Sequence, residues 1–160
     1  MDALWDRWWA KPEIVEIANE IKKRCSAALK LVGQTELDKS WQSLPKEGLT
    51  NEQAADVLYL TANTRQRFAK VLSQLVAAEI WLKRMDSLLM ASWKSYLDNA
   101  TPDQKIAEWK VDAWYESHTI TQWQRDMSDV IGATAGLKER MNALRDNSGD
   151  LRGALGSLGD

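Results

Sequence analysis

Cys25 and His118 are the only cysteine and the only histidine among the 160 residues. These two residue types can form a nucleophile and base pair, but 93 positions separate them. Cys25 falls on the apolar stripe of a predicted helix and His118 flanks the core positions of another, so we expect an inert buried thiol and a surface imidazole. A single residue of each type also argues against a structural zinc site or an internal disulfide. The sequence therefore predicts a non-enzymatic protein with no catalytic residues, metal or cofactor.

The segment 132–138 has the glycine content of a phosphate-binding loop without its spacing. Gly132 and Gly136 are followed by Leu137 and Lys138, and no strand precedes them. We expect this glycine pair to allow a close helix contact or to kink a helix.

Basic and aromatic residues alternate in the middle of the chain. Residues 58–97 contain six Lys and Arg against two Asp and Glu, although the whole chain carries a net charge of −2. Cationic groups can follow phosphates while rings stack on bases, which is what binding of single-stranded nucleic acid requires. The candidate binding residues are Arg65, Arg67, Lys70, Lys83, Arg84, Lys94, Trp93 and Tyr96. The alternative is a solvated coiled-coil flank whose cations pair with acids such as Asp112, Glu116 and Asp126.

Nine tryptophans are an excess for this length, and their positions separate them into groups. Trp109 and Trp123 fall on predicted core positions, and Trp81, Trp93 and Trp114 lie next to them. Three more crowd a short N-terminal segment, where they either dock on the rest of the chain or contact a partner. The candidate partner-binding residues are Trp5, Trp8 and Trp9, with Leu151, Leu155 and Leu158 near the other terminus.

Long helices must position all of these residues. No Gly or Pro interrupts residues 49–101, and capping signals begin at Thr50 with Gln53 and at Thr101 with Pro102 and Gln104. Another helix begins at Pro12 and is expected to end at Gly33, and a further short helix is predicted within residues 35–44.

Heptad spacing relates the two long helices. Apolar or small residues recur every seven positions from Ala54 to Tyr96, and again from Ile106 to Met141. A second row of core positions lies three residues after each member of the later series, and it contains Trp109 and Trp123. The short connection predicts that the helices fold back on each other. The fold class is therefore all-α: a long antiparallel helical hairpin with coiled-coil-like packing plus shorter N-terminal helices.

Three segments follow from this pattern. Residues 1–48 hold the short helices, residues 49–146 form the long hairpin, and residues 147–160 form a flexible tail rich in Gly, Asp and Ser. A hairpin of this length predicts a homo-oligomer. We expect neither a membrane-spanning segment nor a signal peptide, because the uninterrupted apolar runs are only a few residues long.

The order of short motifs along residues 50–146 resembles the UvsY-type recombination mediators of tailed phages. The motifs are Ala78-Glu79, Leu82-Lys83, Tyr96-Leu97, Val111-Asp112, Trp114-Tyr115, Asp129-Val130-Ile131, Leu137-Lys138 and Leu144-Arg145. The chain differs from those mediators in about 45 additional N-terminal residues and in its net acidity. The resemblance implies an oligomer that binds single-stranded DNA and helps to load a recombinase in place of the single-strand binding protein.

Two functions are therefore expected. The first is a non-enzymatic, oligomeric accessory protein of DNA recombination or replication that binds single-stranded DNA and a recombinase or single-strand binding protein. The second is a helical structural, adaptor or inhibitor protein, in phage assembly or host-protein binding, that acts only through protein contacts. Either function places the protein in the cytoplasm, which is the host cytoplasm if a phage encodes it.

Overall fold

The computed structural model describes the backbone of residues 1–36 and 48–158 and the side chains of residues 1–34, 48–146 and 149. Five α-helices occupy this part of the chain, and the described residues contain no strand, which confirms the all-α prediction. They are α1 (Asp2–Trp9), α2 (Pro12–Glu36), α3 (Asn51–Ala100), α4 (Glu108–Thr119) and α5 (Arg125–Leu158), with a π-helical segment at Ile120–Gln124 between α4 and α5.

Helix α3 begins as its capping box predicts. The backbone N–H of Gln53 donates to Thr50 Oγ1 over 3.2 Å, and the backbone N–H of Thr50 donates to Gln53 Oε1 over 3.1 Å. These two bonds satisfy donors that a helix N-terminus otherwise leaves free. The helix then runs unbroken for 50 residues. Its predicted core row from Ala54 to Leu89 is buried at every seventh residue, and Tyr96 at the end of that row is half-buried.

Two buried threonines, Thr61 in this row and Thr64 three residues later, fit the apolar core because their hydroxyls bond within the helix. Thr61 Oγ1 donates to the carbonyl of Val57 over 2.7 Å, and Thr64 Oγ1 donates to the carbonyl of Leu60 over 2.9 Å. Neither hydroxyl is then left unpaired, which is the condition for burying it.

The end of α2 and the start of α4 differ from the sequence prediction. Helix α2 continues through Gly33 to Glu36, since a glycine inside a helix costs only about 1 kcal/mol and does not by itself end it. The second capping signal also fails: Thr101 Oγ1 donates backwards to the carbonyl of Leu97 over 2.7 Å, so this side chain closes α3. Helix α4 starts only at Glu108, after a connection longer than predicted.

The C-terminal segment and the predicted short helix have different outcomes. Helix α5 continues to Leu158, although the glycine-rich composition predicts a flexible tail from residue 147. No proline lies in that stretch, so nothing there removes a backbone donor from the helix. The predicted short helix at 35–44 falls mainly on residues 37–47, outside the described residues.

The chain divides into two compact units. Unit 1 comprises Met1–Leu29 and Ala77–Ile131, and unit 2 comprises Lys30–Val76 and Gly132–Asp160. In unit 1, α3 and α4 run antiparallel, because Lys94 pairs with Glu108 near the connection while Asp86 meets Tyr115 farther along. This confirms the hairpin within unit 1.

In unit 2, residues of α2, α3 and α5 line a recess of about 190 Å³ next to the glycine pair. A Cβ added at Gly132 or Gly136 would meet no atom within 4 Å. The predicted close helix contact at these glycines is therefore wrong, because the space above them is open.

Candidate functional site

Helix α1 docks on unit 1 through its tryptophans. Trp5 and Trp8 are 6% and 0% exposed, and Trp5 meets Trp93 edge-on with 4.9 Å between ring centroids. Trp8 Nε1 donates to Ser92 Oγ over 3.1 Å, and Trp9 stacks on Trp123 with centroids 5.3 Å apart. These five indole rings form the tryptophan cluster: Trp5, Trp8, Trp9, Trp93 and Trp123.

The tryptophan cluster corrects one sequence assignment. Trp5 and Trp8 fill the interior of unit 1 and leave no ring face for a partner, and Trp9 is half-buried against Trp123. The sequence alternative in which this segment docks on its own chain is the one that the structure shows. The side chains of the other candidate partner residues, Leu151, Leu155 and Leu158, lie outside the described residues.

Asp86 is the polar centre of this interior, and sequence reasoning missed it. Its Oδ1 accepts hydrogen bonds from the Tyr115 hydroxyl over 2.7 Å and from Trp123 Nε1 over 2.9 Å. Burial, followed by the bond to Asp86 and its charge, raises the pKa of Tyr115 well above its ordinary value. The phenol therefore stays protonated and serves as a donor. The signal in the sequence was weak: Asp86 is one of two acids in the basic stretch 58–97.

Of the two predicted stacking platforms, the Trp93 ring is closed to bases. Trp93 is 0% exposed within the tryptophan cluster. Tyr96 is half-buried, with its ring 6.4 Å from that of Trp93 and the Lys11 ammonium 4.8 Å from its centroid. The assignment of Trp93 to nucleic-acid binding is wrong because the ring packs inside the protein.

Lys94, one of the predicted phosphate-binding cations, forms salt bridges with two acids of α4. Lys94 Nζ lies 2.8 Å from Asp112 Oδ1 and 3.3 Å from Glu108 Oε1, and these bonds raise the pKa of Lys94. This is the salt-bridged flank that the sequence left open as an alternative. Lys83 also pairs, within its own helix, with Glu79 at 2.9 Å.

The remaining candidate cations fall in both units. Arg84 is exposed in unit 1, whereas Arg67 and Lys70 are exposed and Arg65 is half-exposed in unit 2. Arg24 is a basic residue of unit 1 that sequence reasoning did not assign. The guanidinium of Arg24 lies 4.0 Å from the centroid of the Trp81 ring and also pairs with Glu20 at 3.1 Å. Arg24 and Trp81 thus join α2 to α3.

The heptad pattern of α4 is displaced in the structure. Trp109, which the pattern places in the core, is 68% exposed, and Ile120 is 54% exposed. Val111, Tyr115 and Thr119 are buried instead. The heptad core positions agree with the observed burial only from Trp123 onward.

The π-helical segment at Ile120–Gln124 accounts for the displacement. A π-helical turn holds about one more residue than an α-helical turn, so the residues before it rotate relative to those after it. At its start, Thr119 Oγ1 donates to the carbonyl of Tyr115 over 2.8 Å, where it competes with the backbone ladder. Trp109 and Ile120, which the heptad pattern places in the core, are therefore exposed.

The result is an apolar outer face on α4. We define the α4 outer face as Trp109, Ala113 and Glu116 of α4 together with Ile120, the first residue of the π-helical segment; all four are exposed and spaced by three or four residues. Beside Ile120, a recess of about 260 Å³ is lined by residues of the segment 120–126. Large exposed apolar residues arranged along one helix face mark an interaction surface more often than scattered ones do. Other exposed large apolar residues are Met1, Val15, Tyr59, Leu60, Ile80 and Leu88.

Cys25 is buried in the core, and His118 packs against aromatic rings. Cys25 is fully buried, and burial together with the charge of Asp126 raises the pKa of its thiol to about 11. The His118 ring stacks on Trp114 at 4.5 Å and lies 4.9 Å from Trp5, with its Nδ1 2.8 Å from the Trp114 carbonyl. An un-ionised thiol is a poor nucleophile, which agrees with the inert role expected for Cys25.

The described residues contain no group of three or more metal-ligating side chains and no helix long and apolar enough to cross a membrane. Comparison with protein-family models, with curated proteins and with solved structures finds no match. The function must therefore be inferred from the residues of the chain itself.

Proposed function

We propose that this protein is a non-enzymatic helical adaptor or assembly protein that acts through protein contacts. The observation that carries the proposal is the α4 outer face, where Trp109 is 68% and Ile120 is 54% exposed. Tryptophan is enriched in the energetically dominant residues of interfaces, and an exposed indole gains free energy when a partner covers it.

The interior of unit 1 supports this assignment. The tryptophan cluster and the Asp86 hydrogen bonds fix α4 against α3, so its outer face is held on a scaffold rather than on a loop. Such preorganisation reduces the entropy lost on binding. The same packing removes Trp93 from a nucleic-acid surface, and acids hold Lys94.

Site-specific photo-crosslinking tests the proposal. A benzophenone amino acid at position 109 should give protein adducts in cells that express the chain, whereas the same probe at the exposed position 129 should give few. Asp129 is a matched control because it is exposed in unit 1 and outside the α4 outer face. Equal labelling at the two positions, or no protein adduct at 109, would contradict the proposal.

A second candidate is binding of single-stranded DNA, and one observation favours it. Arg24, stacked on Trp81, adds a cation and an aromatic ring to the stretch that contains Lys83 and the exposed Arg84. Under this hypothesis, the protein is the accessory factor of recombination or replication that the UvsY-type resemblance implies, with a recombinase or single-strand binding protein as partner.

Fluorescence anisotropy of a labelled single-stranded oligonucleotide separates the two candidates. DNA binding predicts an affinity that falls steeply with salt and falls further in Arg24→Ala and Arg84→Ala. The protein-contact proposal predicts weak binding that is the same in both variants. A clear loss in the two variants would transfer the assignment to the second candidate.

A further inference from the structure

Helix α3 carries an outer face of its own within unit 1. Ile80 is 60% exposed and Leu88 is 52% exposed, and Arg84 lies one helical turn from each. We define these three residues as the α3 outer face. Its neighbour Lys83 is also exposed, with its ammonium on Glu79. The α3 outer face is therefore an apolar pair with a cation at its centre.

The α4 outer face has the opposite charge. Glu116 lies in the row between Ala113 and Ile120, and Glu108 and Asp112 lie on the same helix. The Glu108 side chain is 81% exposed, and the carboxylates of Glu108 and Asp112 share the single ammonium of Lys94. An apolar row with a central anion on α4 thus matches an apolar row with a central cation on α3.

The spacing of the two faces also matches. At 1.5 Å per residue, Ile80 and Leu88 each lie about 6 Å along the axis from Arg84. Ile120 lies about 6 Å from Glu116 on one side, and Ala113 and Trp109 lie about 4.5 and 10.5 Å away on the other. With Arg84 opposite Glu116, one apolar residue of α3 meets Ile120 while the other lies over Ala113 beside Trp109.

We propose that the α3 outer face of one copy binds the α4 outer face of a second copy. This inference rests on the proposed function and deepens it by naming the partner as the chain itself. The two faces differ, so each copy supplies both halves of the contact: two copies can pair reciprocally as a dimer, or association can extend head to tail. Both rows are short, so the interface is smaller than a standard one, and association should depend on concentration and salt.

Charge reversal on each face provides the test, read by sedimentation velocity over a concentration series. The wild-type weight-average mass should rise above the 18.2 kDa of one chain, and it should fall again at high salt. Arg84→Glu and Glu116→Arg should each remain near the mass of one chain, because each sets like charges opposite each other. Lys22→Glu and Asp129→Arg change the net charge equally at exposed positions elsewhere in unit 1 and should associate like the wild type.

Mixing the two reversed variants makes the test specific. The carboxylate introduced at position 84 of one variant then faces the guanidinium introduced at position 116 of the other, so an equimolar mixture should recover the wild-type mass. A wild type that stays at one chain mass throughout, a reversed variant that associates normally, or a mixture without recovery would each overturn the inference. If the wild type fails to associate while the probe at position 109 crosslinks a different protein, the proposed function stands and only self-association falls.

Discussion

Trp109→Ala and Trp123→Ala make a matched pair, because the heptad pattern places both indoles in the core and the structure buries only one. Trp123 is 0% exposed, stacks on Trp9 and donates Nε1–H to Asp86. Truncation of a buried tryptophan typically costs about 3–5 kcal/mol. Trp109 is 68% exposed, so its truncation should change the free energy of unfolding by no more than about 0.5 kcal/mol.

Urea denaturation followed by far-UV circular dichroism measures this difference. With a urea slope of about 2 kcal/mol per M, Trp123→Ala should lower the midpoint by about 1.5–2.5 M, and Trp109→Ala should leave it nearly unchanged. Equal losses of about 3 kcal/mol in both variants would refute the reasoning. That result would mean that α4 keeps the uninterrupted heptad frame and that the π-helical segment does not turn Trp109 outward.

Three further substitutions test other parts of the fold. Cys25→Ala should flatten the fall in stability between about pH 9 and 11. The pKa of the Cys25 thiol is about 11 in the folded protein against an ordinary 9.0, so the wild type keeps its full stability below pH 9 and loses on the order of 2–3 kcal/mol as the pH rises through that window. Urea midpoints that change with pH in the same way in both proteins would contradict this prediction. Thr50→Ala should lower the free energy of unfolding by about 1 kcal/mol through loss of the capping box, and an unchanged thermal midpoint would show that the cap contributes nothing. Gly136→Ala should raise stability by up to about 1 kcal/mol, because the added Cβ meets open space in a helix, and a lowered melting temperature would instead indicate a close contact there.

The start of α3 was predictable because its signal is local. Thr50 and Gln53 bond to each other's backbone, so the whole signal lies within four residues. The pattern at Thr101 has the same residue types, Thr followed three residues later by Gln, but a different result. The Thr101 hydroxyl donates to the carbonyl of Leu97 and closes the preceding helix. A threonine at a helix junction can serve either helix, and the sequence does not distinguish the two.

The candidate site was harder to predict because it depends on a change of helical periodicity at the π-helical segment. The heptad rule assumes constant periodicity, and the π-helical segment at Ile120–Gln124 breaks it. The pattern thus identifies Trp109 and Ile120 as members of one helix face but assigns that face to the core. For Trp93, the sequence shows its place beside the stripe, whereas only packing with α1 shows that it is buried.

The mass of Trp109→Ala under conditions where the wild type associates tests the central claim most directly. This variant should be as stable as the wild type, so a change in association reports on the α4 outer face and not on folding. We predict that sedimentation velocity finds Trp109→Ala near 18.2 kDa at concentrations where the wild-type mass is higher. An identical rise in mass with concentration for the two proteins would contradict the assignment of this face as the surface of self-association.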